Sequence, residues 1–395
     1  MQSFGQAAAD SAAAAGDQDG VARQVHAVQA DSASVETTIT SSRLGRSPHI
    51  GGIRRILFLV IDDLDAQILH ALQLAPRVSF RRVAGVVEAT EQTVARRYHR
   101  LRRDGVVRVV GLENRWADGE ASWVCRMRAA PDRISQLADA LVRRRDVSHA
   151  NVLAGWTDLV CVVRAPLGDT REDLLPRLLP RTTSVTDITI DLLLHSFGHP
   201  ATAPWTGYGH TLSDRQAEEI LAERTGPVSC AQRFSLTAED RHILEALAED
   251  GRTPQSRLAA RTGWSVSRVG RRIAALEACG ALLYDVDVLP ERLGNQLSAM
   301  LWLTVAPRDL HRVGELIAAH DHIAFAGAVS GTKNLMAIAI CRDTDDLYRY
   351  LSEQLGQIEA ILGYEVNIRT QRLKQHGSLV AHGRLINPRP ARTAR

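Results

Sequence analysis

The sequence predicts an α+β protein made of two tandem copies of one unit, a small bundle of helices followed by a βαββαβ segment. Three observations carry that expectation. Asp65, Ile68, Leu69, Leu72 and Arg77 return as Asp240, Ile243, Leu244, Leu247 and Arg252, and Ala84, Val94, Arg96, Arg97, Leu101 and Gly105 return as Ala259, Val269, Arg271, Arg272, Leu276 and Gly280, at one constant offset with no gap. In both stretches the apolar residues keep helical spacing. After each, strand-like and helical patterns follow in the same order, which predicts one antiparallel sheet with two helices on one face. The period far exceeds the roughly 20–50 residues of a solenoid repeat, so a whole domain pair has been duplicated.

Residues 1–60 are rich in Ala, Ser, Asp, Gln and Gly and read as a disordered tail. Val60 stands directly before the repeat, where a GTG start codon would begin translation at the first domain. Leu64, Ile68, Leu69 and Leu72 share one helical face, with Asp62 or Asp63 available to cap it. A second helix is expected from about Ser79 to Val86 and a third from about Thr90 to Arg103, ended by Gly105. Their counterparts run from about Pro254 to Arg261 and from Ser265 to Ala278, ended by Gly280.

The first mixed segment reads as a strand at Ala121 to Met127, a helix at Pro131 to Arg144, and strands at Val147 to Leu153 and Leu159 to Val163. A helix near Asp169 to Leu179 and a strand near Val185 to Leu194 complete it. The second repeats the order at Leu297 to Val305, Arg308 to His320, Ile323 to Val329, Leu335 to Ile340, Thr344 to Ile358 and Val366 to Leu373. Between them, Ser213 and Gln216 form a capping box for a linker helix from Leu212 to Arg224. The expected divisions are 1–60 (tail), 61–110 and 236–290 (helical units), 111–197 and 291–376 (ferredoxin-like domains), 198–235 (linker) and 377–395 (C-terminal tail).

Hydrophobic residues make up 45% and charged residues 24% of the chain, a globular composition. The run from Ile56 to Ile61 is far shorter than the roughly 20 residues of a membrane span. Five cysteines stand singly, without the paired spacing of a zinc site, and point to a reducing compartment. A cytoplasmic location is expected, with no membrane partner and no cofactor. His195, His199 and His210 lie in what reads as a loop without Cys or acidic partners, so no metal site is expected. Gly327 to Lys333 lacks the order of a phosphate loop, and no nucleophile elbow is present.

Charge segregates sharply. Nine arginines against three acids lie between Arg77 and Arg108, and six arginines with no acid between Arg252 and Leu276, in a chain whose formal net charge is only +3. Two short helices joined by a tight turn, the second polar and basic, form a helix-turn-helix, and concentrated arginine there predicts a double-stranded DNA partner. Ala84 and Ala259 supply the small residue at the helix crossing. The turn favours glycine four residues later, present as Gly263 but replaced by Glu88 in the first copy.

Base contacts are expected from Thr90, Gln92 and Thr93 in one copy and from Ser265, Ser267 and Arg268 in the other. Arg268 suits guanine and Gln92 adenine, so the two halves should prefer different half-sites. Arg96, Arg97, Arg100, Arg271 and Arg272 are assigned to phosphate.

These residues, with the Gly155 to Leu159 and Gly331 to Leu335 loops and the Pro290 to Gly294 segment, make the chain resemble the leucine-responsive/AsnC (Lrp/AsnC) family of transcriptional regulators over 61–197 and 236–376. The resemblance implies two winged helix-turn-helix domains, each followed by a ferredoxin-like effector domain. It implies an effector such as an amino acid, held near Gly155, Thr157 and Asp158 and near Gly331, Lys333 and Asn334. Asn334 stands where the family pattern has aspartate. The family dimer would form within one polypeptide, and this pseudo-dimer is expected to assemble further through its outer sheet edges.

The rival readings are an enzyme like the sirohaem decarboxylases of the same fold and a ligand-binding protein with degenerate DNA binding. The stretch from Val147 to Asn151, with Ser148 and His149, resembles the start of the decarboxylase signature, but its Tyr and Trp-Phe elements are missing. A regulator, not an enzyme, is therefore expected.

Overall fold

Asp62 starts the first helix by a reciprocal exchange: Asp65 donates its backbone N–H to the Asp62 carboxylate (3.0 Å), and the Asp62 N–H points back at the Asp65 carboxylate (3.4 Å). The computed structural model describes residues 61–114, 120–168, 185–198, 205–222 and 236–387. The tail, the Val60 position and the helix expected over 169–179 lie outside them. No described helix is long and apolar enough to cross a membrane.

The first helical unit comprises α1 (Asp63–Leu74), α2 (Phe80–Val86) and α3 (Glu91–Arg103). Ile68, Leu69 and Leu72 of α1 close over Val83, Val94, Tyr98 and Leu101. Strands β1 (Val107–Glu113) and β2 (Glu120–Ala129), helix α4 (Pro131–Val142), and strands β3 (Val147–Leu153), β4 (Asp158–Pro166) and β5 (Val185–Ser196) follow. Helix α5 (Asp214–Leu221) lies in the linker, capped by Ser213 and Gln216 as the sequence requires.

The second copy has α6 (Ala238–Glu249), α7 (Gln255–Thr262), α8 (Val266–Ala278), β6 (Leu282–Val288), β7 (Leu297–Val305), α9 (Leu310–Ala318), β8 (Ile323–Val329), β9 (Leu335–Cys341), α10 (Thr344–Arg349) and β10 (Ile361–Gln375). Only the start of the helix expected over 344–358 is regular; a widened turn at Tyr350–Gln354 and a tight one at Leu355–Gln357 complete it.

Each mixed segment forms a four-stranded antiparallel sheet, in the orders β5-β2-β4-β3 and β10-β7-β9-β8. The edges do not stay open. β10 pairs with β3 and β5 pairs with β8, so the two sheets close into one ring of strands. Val124, Leu153, Val160, Met300, Trp302, Val329 and Met336 fill its interior. On the outer faces, Ile134, Leu137 and Leu141 of α4 pack on one sheet and Val313 and Ile317 of α9 on the other. The outer edges on which further assembly was expected are thus consumed at the seams.

The strand that follows each helical unit pairs across the pseudo-two-fold instead of folding into a hairpin of its own. β1 and β6 form an antiparallel ribbon from Val107↔Val288 to Glu113↔Leu282. Gly111 permits this, since a Cβ there would lie 2.8 Å from the Leu247 Cβ of α6. The arginines at the repeat's equivalent positions then exchange. Arg77 donates to the Gly251 carbonyl (2.5 Å), and Arg252 to those of Pro76 (2.7 Å) and Val78 (2.8 Å). Arg252 also stacks on Phe80, 4.4 Å from its ring centre.

Two segments read as connectors are built into this junction. In the linker, the Leu212 N–H bonds His70 (3.0 Å) and Gln216 donates to the Val86 carbonyl (2.8 Å). The expected C-terminal tail instead forms β11 (Ser378–Ala381) and β12 (Arg384–Ile386), appended to β10. Arg108, buried, holds this hairpin through Ser378 (2.7 Å) and the Gly377 (3.2 Å) and Ile386 (3.1 Å) carbonyls.

Beside Arg108 lie Asp285 and Asp287 of β6 and His376. Burial and the neighbouring Asp285 push Asp287 up to about 7, against the pull of His376. Burial works against the charge on His376, but the two carboxylates prevail and hold its proton on. Between about pH 4 and pH 7 the folded chain therefore keeps on Asp287 a proton that the unfolded chain has released. This group's contribution to stability falls as pH rises through that window. Asp287→Asn removes the dependence while keeping an acceptor for Ser378, so the variant should gain more Tm over the parent at pH 8 than at pH 5, by scanning calorimetry.

Candidate nucleic-acid interface and effector cleft

In both helix-turn-helix units the tight turn adopts the left-handed conformation that the sequence pattern requires. Gly263 has φ +73° and Glu88 φ +52°, so the glutamate accepts the same backbone geometry with more strain. Thr90 and Ser265 are the N-caps of α3 and α8, and their hydroxyls accept the N–H groups of Thr93 (3.2 Å) and Arg268 (3.3 Å). That bond starts the helix. Gln92 on one unit and Ser267 and Arg268 on the other are exposed at the helix entrance, as are Glu91 and Val266 beside them. Thr93 is half-buried and bonded to Thr90, and Arg268 lies over Trp264 at 4.0 Å from the ring centre.

The arginines assigned to phosphate divide. Arg96 and Arg271 are exposed. Arg272 instead turns inward and grips both oxygens of Asp240 (2.6 and 2.5 Å), a carboxylate with no exposed surface. Arg97 bonds Asp62 (2.6 Å) and the equally buried Asp65 (3.1 Å), and Arg100 also pairs with Asp65. Burial alone would raise the Asp240 pKa, but Arg272 and Thr237 hold it below the usual carboxylate range. The recurrence of Arg97 as Arg272 therefore follows from the recurrence of Asp65 as Asp240. It locks the third helix of each unit onto the first. Arg77, Arg108 and Arg252 likewise belong to the junction between units.

The two loops differ at their glycines, and the polar residues beside them are engaged. Gly155 has φ +94°. Asp158 pairs with Arg128 (2.9 Å) and lies 3.5 Å from the Thr157 hydroxyl. Asn334 clamps β7, accepting the Val305 N–H and donating to the Val305 carbonyl, both at 2.8 Å. Neither Asp158 nor Asn334 is left free to receive a ligand's ammonium group.

Gly331 and Lys333 instead border a cleft of about 510 Å³ that the sequence reading missed. Arg126 of β2, Thr189 and Asp191 of β5, Trp302 of β7 and Glu365 of β10 also line it. Arg126 donates to Glu365 (2.7 Å) and stacks on Trp302, 4.5 Å from the ring centre, while Trp302 donates to Asn367 (3.0 Å). The bond from Arg126 holds the Glu365 pKa down. Burial raises that of Asp191, against which the Gly331 backbone is packed. A side chain at Gly331 would meet the Asp191 carboxylate at 2.6 Å. The signal was in the repeat: Arg126 stands opposite Trp302 and Asp191 opposite Asn367 when the copies are aligned, so the residues that line the cleft differ between copies whose scaffolds agree.

Among the histidines, His210 faces Asp63 (3.3 Å) and His199 lies outside the described residues. His195 belongs to β5, not to a loop.

A family model for the AsnC-type helix-turn-helix domain matches residues 61–102 and again 236–277, and one for the Lrp/AsnC ligand binding domain matches 298–379. The HTH-type transcriptional regulator LrpA of Pyrococcus horikoshii is 31% identical over 123 residues, 31% of this chain and 87% of that protein. LrpA of Mycobacterium tuberculosis is 35% identical over 115 residues, 27% of this chain and 75% of its own. Each relative thus spans less than a third of the tandem chain. Among solved structures, the siroheme decarboxylase NirDL overlaps 80% of this chain and 93% of its own with a TM-score of 0.53, at 18% identity, a likeness of fold alone.

The inward arginines and the exposed ones should separate in a stability measurement. Arg272→Ala strands the buried Asp240 carboxylate and should cost about 3 kcal/mol in urea unfolding, whereas Arg271→Ala should change stability by less than about 0.5 kcal/mol.

Proposed function

This chain belongs to the Lrp/AsnC family of transcriptional regulators, and from that premise we propose that its two helix-turn-helix units bind double-stranded DNA as an intramolecular pair, under control of a small molecule held in the ring of strands. The observation that carries the reading is the β1–β6 ribbon with its Arg77/Arg252 exchange. It joins two units whose capped recognition helices keep Gln92, Arg96, Ser267, Arg268 and Arg271 exposed. Because Gln92 and Arg268 occupy corresponding entrances, the pair favours two different half-sites over a palindrome. Arg96 and Arg271 serve phosphate.

The cleft suits a small zwitterion such as an amino acid. Asp191 offers a carboxylate for an ammonium group and Lys333 a cation for a carboxylate, beside the paired Arg126 and Glu365. Trp302 supplies an apolar wall. Because the cleft draws on β2 and β5 of one half and β7 and β10 of the other, occupancy acts on the relative placement of the halves, and through the hairpin held by Arg108 on the DNA-binding pair.

A second reading, an enzyme of the NirDL kind, draws support from the likeness of fold over 80% of the chain. Titration with sirohaem followed by the Soret band tests it: stoichiometric binding with loss of carboxylate groups from the tetrapyrrole would favour the enzyme.

For the DNA reading, Arg271→Ala should weaken binding to all sequences and lower the slope of log K against log salt by about 1. An unchanged slope in a fluorescence-anisotropy titration would remove Arg271 from the interface. For the cleft, a panel of amino acids screened by thermal shift should yield a ligand that raises Tm in the parent chain, with the shift lost in Asp191→Asn.

A further inference from the structure

We propose that His195, His311 and Glu315 form a site for one transition-metal ion of the zinc class, bridging the two halves of the chain at the β5–β8 seam. His195 lies near the end of β5, opposite Ala328 of β8. Two residues further, on the same side of the strand, Phe197 is buried beneath α9 with its N–H bonded to Ala326 (2.9 Å). That approach requires Gly314, because a Cβ there would lie 2.3 Å from the Phe197 ring. The close contact of strand and helix brings His195 against α9, where His311 and Glu315, one helical turn apart, share a face.

The consequence is a set of three donors from opposite halves. Their ligand atoms all lie within 4.8 Å of one another, and all three residues are exposed. The rings of His195 and His311 stand 5.8 Å apart. No described side chain takes any of the three into a hydrogen bond or ion pair, unlike Asp158, Asn334 or Asp240. Two imidazoles and one carboxylate suit zinc, with bonds of about 2.0–2.2 Å, or copper and nickel. They do not suit magnesium or calcium, which prefer oxygen ligands throughout.

Three protein ligands leave a fourth position for water, and exposure lets the ion exchange with solvent. Such an ion adds a reversible clamp across a seam otherwise held by a short run of strand pairing. The second seam has no equivalent: aligning the copies puts Gln371, Ser135 and Asp139 at the corresponding positions. One ion at this kind of site per chain follows.

The test uses the full chain after chelator treatment, titrated with zinc chloride by calorimetry and with cobalt(II) for its visible spectrum. One zinc ion should bind and raise Tm. His311→Ala and Glu315→Gln should each weaken it by about tenfold or more, while His242→Ala, exposed on α6, leaves affinity unchanged. Because these side chains are exposed, the metal-free variants should keep the parent Tm, which separates lost ligation from lost folding. The cobalt spectrum should lack a thiolate charge-transfer band. No bound ion, equal affinity in His311→Ala, or a thiolate band that places the ion on cysteine would overturn the site.

Discussion

A four-stranded sheet covered by helices on one face leaves two liabilities, an apolar opposite face and two rows of unpaired backbone groups along its edges. In this chain one arrangement removes both. The second copy brings its own open face and edges, β3 meets β10, β5 meets β8, and the apolar faces close on each other around Trp302, Met300 and Met336. Every other feature depends on that closure. It sets the pseudo-two-fold, brings the helix-turn-helix units together so that β1 can pair with β6, encloses the cleft between β2, β5, β7 and β10, and carries Phe197 of one half beneath α9 of the other.

Fusion of the copies also frees them from symmetry. In a dimer of identical chains a change at one position appears twice, whereas here Arg126 can face Trp302 and Asp191 can stand where the other copy has Asn367. The result is a polarised cleft on a near-symmetric frame. The same freedom lets the linker residues Trp205 and Leu212 join the core of the first helical unit and puts a hairpin after β10 that has no counterpart after β5 among the described residues. Many buried positions keep their residue between copies, among them Ile68 as Ile243, Leu72 as Leu247 and Leu101 as Leu276, because a core tolerates few changes of volume. Several positions at the cleft have drifted.

Arginine carries most of the polar architecture, and it does so in two ways that charge counting cannot separate. A guanidinium spans two acceptors rigidly, which suits buried junctions as well as phosphate. Arg252 ties two chain reversals together, Arg108 anchors the hairpin, and Arg272 neutralises a carboxylate that caps its own helix through Thr237. The basic density of each helical unit is therefore partly internal. What remains for a partner is a smaller set on the exposed faces of α3 and α8.

The sequence by itself determined the duplication, the order of elements, the cap at Asp62, the capping box of Ser213 with Gln216, and the left-handed turn at Gly263. These rest on local chemistry: helical spacing, a hydroxyl or carboxylate within three residues, and a backbone angle that few residues accept. Only the tertiary structure decided which arginines face solvent, which sheet edges pair, that the last described residues form a hairpin, and that Arg126, Asp191 and Glu365 share one cleft. It also decided that His195 meets His311 and Glu315. The hairpin is local but held by Arg108 from far along the chain, and each of the others joins groups more than a hundred residues apart or turns on which way a long side chain points; neither distance nor direction is encoded in spacing along the chain. Asp65 and Asp240 show the boundary most clearly: their recurrence was legible, but only burial revealed that the recurrent arginines beside them recur to neutralise them.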